Sequence, residues 1–259
     1  MNDASLVILT GASRGLGRAM AEPLLQPGST LLALARQPVP ELAALAAQRG
    51  ATLESWAVDL AEPAPVAARL SAWLVAQRAA APAPARVRLI HNAALLTAPG
   101  PIDALPAAEL AAALRVGLEA PMLLTAAFLA ATGGPVPWCA DRRVLFISSG
   151  LGRRAMAGSA PYCAVKGGLD HFARALALDE AAHPGGARVV SLAPGVIDTD
   201  MQVQLRGADA ARFAEQARFA ELHRSGALDS PAMAAAKVLH YLERADFGQQ
   251  VTADVRDPG

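Results

Sequence analysis

Short, almost continuously apolar runs alternate with alanine-rich stretches of helical period from one end of this chain to the other. That alternation restricts the architecture more than any other feature. A strand that reads as an unbroken apolar run is covered on both faces, as happens inside a parallel sheet. Strands are expected near 6–10, 30–35, 52–58, 88–91, 144–148, 188–192 and 250–253, with helices near 15–25, 41–49, 63–78, 106–131, 160–181 and 230–244. Repeated β-α-β order with right-handed crossovers gives an α/β fold, a doubly wound, mainly parallel seven-stranded sheet with helices on both faces. The 259 residues fit one such domain, because the Ala/Pro run at 79–86 is too short to separate two.

Composition removes several function classes. A 53% hydrophobic content with 18% charged residues indicates a large core, and 23 basic residues balance 23 acidic ones, so neither nucleic acid nor an anionic membrane is an expected partner. Cys139 and Cys163 form no disulfide framework, and neither they nor the five histidines have metal-ligand spacing. The first residues carry no basic region ahead of the apolar run, so a reducing, cytoplasmic setting is expected. The long apolar stretch 110–131 is interrupted by Arg115, Glu119 and Pro121, which reads as a core or interface helix.

The first strand runs directly into Thr10-Gly11-Ala12-Ser13-Arg14-Gly15-Leu16-Gly17, where a helix begins. Glycines there let the backbone turn sharply and approach a pyrophosphate, whose charge meets the helix N-terminus. The second strand ends at Arg36, with no acidic residue to accept hydrogen bonds from a free ribose 2′-hydroxyl. Arg36 and Arg14 offer positive charge to a 2′-phosphate instead, which favours NADP(H) over NAD.

Tyr162 and Lys166 are four apart on a predicted helix, with Ser149 thirteen positions upstream of the tyrosine. Residues i and i+4 are neighbours on a helix, so a cationic Lys166 is expected to pull the phenol pKa down from about 10 toward working pH. A tyrosine so tuned serves as a general acid toward a carbonyl.

Taken in this order, the glycine loop, Ser149 and the Tyr162/Lys166 pair resemble the short-chain dehydrogenase/reductase family over nearly the whole chain, with its Rossmann-type domain. Further segments match. Val58-Asp59-Leu60 looks like the family's adenine-contacting position, and His91-Asn92-Ala93-Ala94 like its element after the fourth strand; Pro194-Gly195-Val196 followed by Thr199 is similar to the segment holding the nicotinamide carboxamide. The resemblance implies that Gly11, Ser13, Arg14, Gly15, Leu16, Gly17, Arg36, Asp59, Leu60, Asn92, Ala93, Pro194, Gly195, Val196 and Thr199 bind cofactor together with Tyr162 and Lys166. A narrower likeness, to the sepiapterin reductase and benzil reductase branch, rests on 148–150, 162–166, 192–201 and 254–257. It implies substrate contacts at Leu151, Met201 and Asp254, with Asp254 either anchoring a polar substrate or capping the last strand.

One position departs from the family pattern. Gly117 stands where many members carry an asparagine that holds a water in a proton relay. Glycine within a helix costs about 1 kcal/mol relative to alanine, so it demands a reason: a second water in the space, or slower proton resupply. The segment 198–228 has helical composition with no strand beside it, and is expected to lie as a lid over the carboxyl ends of the strands. The resulting expectation is an NADPH-dependent carbonyl reductase acting on a ketone, diketone or pterin side-chain carbonyl. Ser149, Tyr162 and Lys166 are its catalytic residues, and a homodimer or homotetramer forms through the helices at 106–131 and 160–181. A non-catalytic NADP-binding sensor, and an alcohol dehydrogenase working oxidatively, are the alternatives.

Overall fold

The computed structural model describes residues 4–257. Seven strands, β1 (Ser5–Thr10), β2 (Thr30–Ala35), β3 (Thr52–Ala57), β4 (Arg86–His91), β5 (Asp141–Ile147), β6 (Arg188–Ala193) and β7 (Thr252–Asp254), form one sheet in the order β3-β2-β1-β4-β5-β6-β7. All six neighbouring pairs are parallel, so the expectation of a mainly parallel sheet becomes an entirely parallel one. Strand order reverses between β1 and β4. At such a switch point the loops leaving the two strands diverge to opposite faces and open a crevice at their carboxyl ends.

Each face of the sheet carries its own apolar layer. On one side Leu16 and Met20 of α1 (Gly15–Leu24), Leu42 of α2 (Pro40–Arg49) and Val238 and Leu242 of α9 (Pro231–Glu243) pack on Val7, Leu9, Leu31 and Leu192. On the other side Leu70 and Leu74 of α3 (Pro63–Ala80), Leu124 and Phe128 of α5 (Ala120–Thr132) and Leu169 and Ala173 of α6 (Ala160–Ala181) pack on Ile8, Leu32, Leu89 and Phe146. Successive side chains of one strand thus enter opposite layers, and both layers are apolar. The strands read as continuous apolar runs for that reason.

The helix expected over 106–131 is interrupted. It consists of α4 (Ala107–Leu114), one π-helical turn (Arg115–Glu119) and α5, and Gly117 is buried inside the wide turn. A Cβ on Gly117 would lie 2.4 Å from Cγ1 of Val165, on α6. Close approach of the two helices therefore explains the glycine. The space a side chain needs there holds Val165, not the second water considered from sequence. The stretch Ala107–Thr132 is long and apolar enough, by length and composition, to cross a membrane. Here it packs on α3 and α6.

Residues 198–228 form the expected helical insertion, with α7 (Asp200–Arg206) and α8 (Gln216–Arg224). Its base is pinched shut by a parallel bridge between Ile197 and Asp229, where Asp229 N–H donates to the Val196 carbonyl at 2.9 Å and Asp198 N–H to the Asp229 carbonyl at 3.0 Å. A separate small core of Met156, Leu205, Phe213 and Phe219 joins the insertion to the loop after β5.

Candidate active site

The loop after β1 is held from both sides. The Thr10 hydroxyl accepts the backbone N–H groups of Asn92 and Ala93 at 2.9 and 3.0 Å, and the Asn92 amide donates to the carbonyls of Thr10 and Gly11 at 3.1 and 3.2 Å. Strands β1 and β4 are thereby stapled at the switch point. Gly11 has φ +72°, and a Cβ on Gly17 would sit 2.0 Å from the Gly11 carbonyl oxygen, so α1 starts flush against the turn with its free N–H groups facing the crevice. Thr10 escaped the sequence reading because its partners are eighty residues away.

A cavity of about 780 Å³ opens at this crevice, and every site residue expected from sequence lines it, from Gly11 through Tyr162 to Asp254. Arg36 is exposed at the end of β2, with no hydrogen bond or ion pair among the described residues. Arg14 instead forms an exposed ion pair with Asp200 at 2.6 Å, reaching from the glycine loop to the first turn of α7. Asp59 is exposed and accepts the Ala61 N–H at 2.9 Å. A glycine turn and the N-terminus of a ten-residue helix suit the pyrophosphate of a nicotinamide dinucleotide.

Ser149 and Ser148 face different ways. Ser149 caps the turn Gly150–Gly152, accepting the Leu151 N–H at 3.1 Å, and its side chain meets Tyr162. Ser148 is buried and donates to Asp170 at 2.5 Å. Tyr162 lies in the first turn of α6, where Pro161 fits because helix-start N–H groups need no helical partner.

The expected lowering of the Tyr162 pKa by Lys166 is not found. Burial pushes the phenol up to about 12, and the Ser149 side chain pulls in the opposite direction without matching it. Lys166 folds its stem back toward β5, where its ammonium donates to the Ile147 carbonyl at 2.7 Å and lies 5.7 Å from the centre of the tyrosine ring. Spacing made the two side chains neighbours, but it did not aim the ammonium at the hydroxyl. Lys166 is buried, and burial lowers its pKa to about 8 against the opposing charge of Asp170.

Asp170, one turn beyond Lys166, is wholly buried. Its carboxylate accepts from the hydroxyls of Ser148 (2.5 Å) and Ser191 (2.7 Å) and pairs with Arg153 (3.2 Å), whose guanidinium also donates to the Ala253 carbonyl at 2.9 Å. This network ties α6 to the ends of β5, β6 and β7 directly beneath the site. An acidic residue four positions after Lys166 was its visible signal.

Asp254 is 8% exposed, and both carboxylate oxygens are engaged by Arg256: Oδ1 by Nε at 2.7 Å and by the backbone N–H at 3.0 Å, Oδ2 by Nη2 at 2.6 Å. The guanidinium holds the carboxyl below its ordinary range. His91 accepts no charge either: burial drives its pKa to about 3, while its ring stacks on Phe146 with centroids 4.9 Å apart and bonds Thr125 at 2.9 Å. Among the described residues no cluster of His, Cys, Asp and Glu suited to a metal ion occurs.

The chain's likenesses agree with this geometry. The family model for short chain dehydrogenases matches residues 5–210. A benzil reductase ((S)-benzoin forming) of Bacillus cereus is 31% identical over 243 residues, 94% of this chain and 96% of that protein, and a sepiapterin reductase of Rattus norvegicus is 31% identical over 264 residues, 98% and 97% of the two chains. Among solved structures, a short-chain dehydrogenase/reductase from Burkholderia vietnamiensis is 34% identical, covers both chains in full and superposes with a TM-score of 0.65. With the parallel sheet, the glycine loop at its switch point and a serine, tyrosine and lysine around one cavity, these matches establish that the chain belongs to the short-chain dehydrogenase family, as an oxidoreductase acting on CH–OH and C=O groups.

Proposed function

We propose that this protein is an NADPH-dependent carbonyl reductase for ketones, diketones or pterin side-chain carbonyls. The observation that carries the reading is the convergence of Ser149, Tyr162 and Lys166 with the glycine loop on one cavity. The names of the benzil and sepiapterin reductases that resemble the chain supply the substrate class.

In this reading the glycine loop and the start of α1 hold the pyrophosphate, Arg36 and Arg14 the 2′-phosphate, Lys166 the nicotinamide ribose, and the segment 194–199 the carboxamide. The cofactor supplies a hydride to the substrate's carbonyl carbon. Ser149 and Tyr162 both donate hydrogen bonds to the carbonyl oxygen, which fixes the carbonyl and stabilises the charge that develops there. Tyr162 then gives its proton to that oxygen. A pKa near 12 keeps the phenol protonated at neutral pH, yet an alkoxide is a far stronger base and takes the proton readily. Buried Lys166 places a positive charge near the tyrosinate left behind. Residues 198–228 act as a lid, whose Leu205 and Phe219 give the substrate an apolar wall.

A non-catalytic reading would rest on Gly117, whose contact with Val165 gives that glycine a packing reason instead. Exposed Leu114, Met122 and Leu178, on α4, α5 and α6, favour pairing with a second copy through those helices.

The test is benzil reduction with NADPH and with NADH by the native protein, Tyr162→Phe and Arg36→Asp. The native protein is expected to reduce benzil with a preference for NADPH. Tyr162→Phe should lose about 100-fold or more in kcat, and Arg36→Asp should shift the cofactor ratio about tenfold toward NADH. Retention of most activity in the phenylalanine variant refutes the acid, and an unchanged ratio refutes the phosphate contact.

A further inference from the structure

Five arginines line the cavity, and they differ in what they hold. Arg14 is paired with Asp200 at 2.6 Å, Arg218 with Glu215 at 3.1 Å and Arg256 with Asp254 at 2.6 Å. The side chains of Arg36 and Arg154 form no hydrogen bond or ion pair among the described residues. In the proposed reading Arg36, at the end of β2, takes the cofactor's 2′-phosphate. Arg154 lies in the loop after β5, three strands away in the sheet, and that reading gives it no role.

Arg154 closes the turn that follows Ser149, its N–H donating to the Gly150 carbonyl at 3.1 Å. The side chain is exposed yet folds back over that turn: a Cβ on Gly150 would lie 3.8 Å from Arg154 Nε. The guanidinium thus stands on open cavity surface beside the residue next to Ser149. Of the four carboxylates that line the cavity, Asp198, Asp200 and Asp254 are each held by an arginine, and Asp59 follows β3, four strands from β5. No lining acid therefore answers the Arg154 charge. A guanidinium fork near the reacting position, accessible from the cavity and without a protein anion, selects for a ligand that brings the anion itself.

We propose that Arg154 is a specificity-determining residue that binds an anionic group of the substrate, so that the preferred substrates are oxo acids whose carboxylate lies close to the reacting carbonyl. This rests on the carbonyl reductase reading and deepens it. Arginine and carboxylate meet through paired, charge-assisted hydrogen bonds, and a neutral ester of similar shape accepts them more weakly. Removing the guanidinium therefore penalises the acid selectively.

The experiment compares kcat/KM for benzoylformate and its methyl ester, which share the reacting ketone and differ in charge, in the native protein and in Arg154→Met. Benzil reduction by the native protein reports separately on the underlying reading. The ester is the more electrophilic ketone, so the quantity read is the acid-to-ester ratio in each protein. Arg154→Met should lower that ratio about tenfold or more, as loss of a charge-assisted hydrogen bond does. The variant should keep the native Tm, because Arg154 is exposed and its side chain unpaired, and should bind NADPH with the native Kd in a fluorescence titration. Benzil turnover with an acid-to-ester ratio unchanged by the substitution, or with no turnover of the acid, overturns the proposal alone, and failure of the native protein to reduce any of the three compounds overturns both readings. A lowered Tm, or a weakened NADPH Kd, shows that Arg154 serves the fold or the cofactor, and equally overturns the proposal.

Discussion

Replacing Gly117 by alanine should destabilise the protein even though alanine is the better helix former, and a second substitution at Val165 should reverse the effect. The added Cβ would meet Val165 Cγ1 at 2.4 Å, more than 1 Å inside the roughly 3.5–4.0 Å at which carbon atoms pack. Val165 is 3% exposed and β-branched on a helix, so it has essentially one rotamer and no free space to swing into. Overpacking of this kind costs about 1–3 kcal/mol, against which alanine's helix propensity returns about 1 kcal/mol. Gly117→Ala should therefore lose about 1 kcal/mol net. Val165→Ala alone removes two buried methyl groups and should cost about 1–3 kcal/mol. In the double variant the new Cβ occupies the vacated space, the clash disappears and the propensity gain is realised. The double variant should thus be more stable than the sum of the single effects by about 2 kcal/mol. Urea unfolding of the four proteins, with equal m-values, reads this coupling directly. A coupling below about 0.5 kcal/mol means that the two helices do not meet as described, and the packing account of Gly117 falls with it.

Two further perturbations act on buried ionisable groups. His91 has its pKa driven to about 3 by burial, below its unfolded value near 6.5, so the unfolded chain binds the extra proton first and stability falls as pH drops through 6.5. Between about pH 7 and about pH 4.5 the native protein should lose on the order of 2–3 kcal/mol relative to His91→Asn, read as the change in their stability difference by urea titration; a pH-independent difference refutes the burial argument. Asp170→Asn removes the charge that pairs with Arg153 at Oδ2, while an amide oxygen kept at Oδ1 still accepts from both serine hydroxyls. Since Arg153 is one-third exposed, the loss should be about 2–3 kcal/mol, below the roughly 3–5 kcal/mol seen when a fully buried pair is broken, and an unchanged urea midpoint refutes the bridging role.

What could be read from the residues and what could not divide along a physical line. The layered sheet was legible because the runs at 30–35 or 188–192 meet apolar groups on both faces, and that requirement is written into most positions of the run. The glycine loop was legible because backbone geometry at Gly11 and Gly17 excludes any side chain. Contacts between distant segments left no such local mark: Thr10 with Asn92, and Gly117 with Val165. The Tyr162 and Lys166 pair shows the boundary within a single helical turn. Spacing predicts that the two residues lie on one face, and they do. It cannot predict which way a flexible four-carbon stem bends, and the bend is decided by the Ile147 carbonyl at the end of β5 and by Asp170 one turn further on. With the ammonium drawn there, burial outweighs the opposing Ser149 hydrogen bond at the phenol and pushes its pKa up to about 12. Where the lysine stem is anchored therefore decides whether its charge reaches the phenolic oxygen, and helical spacing carries no information about that anchor.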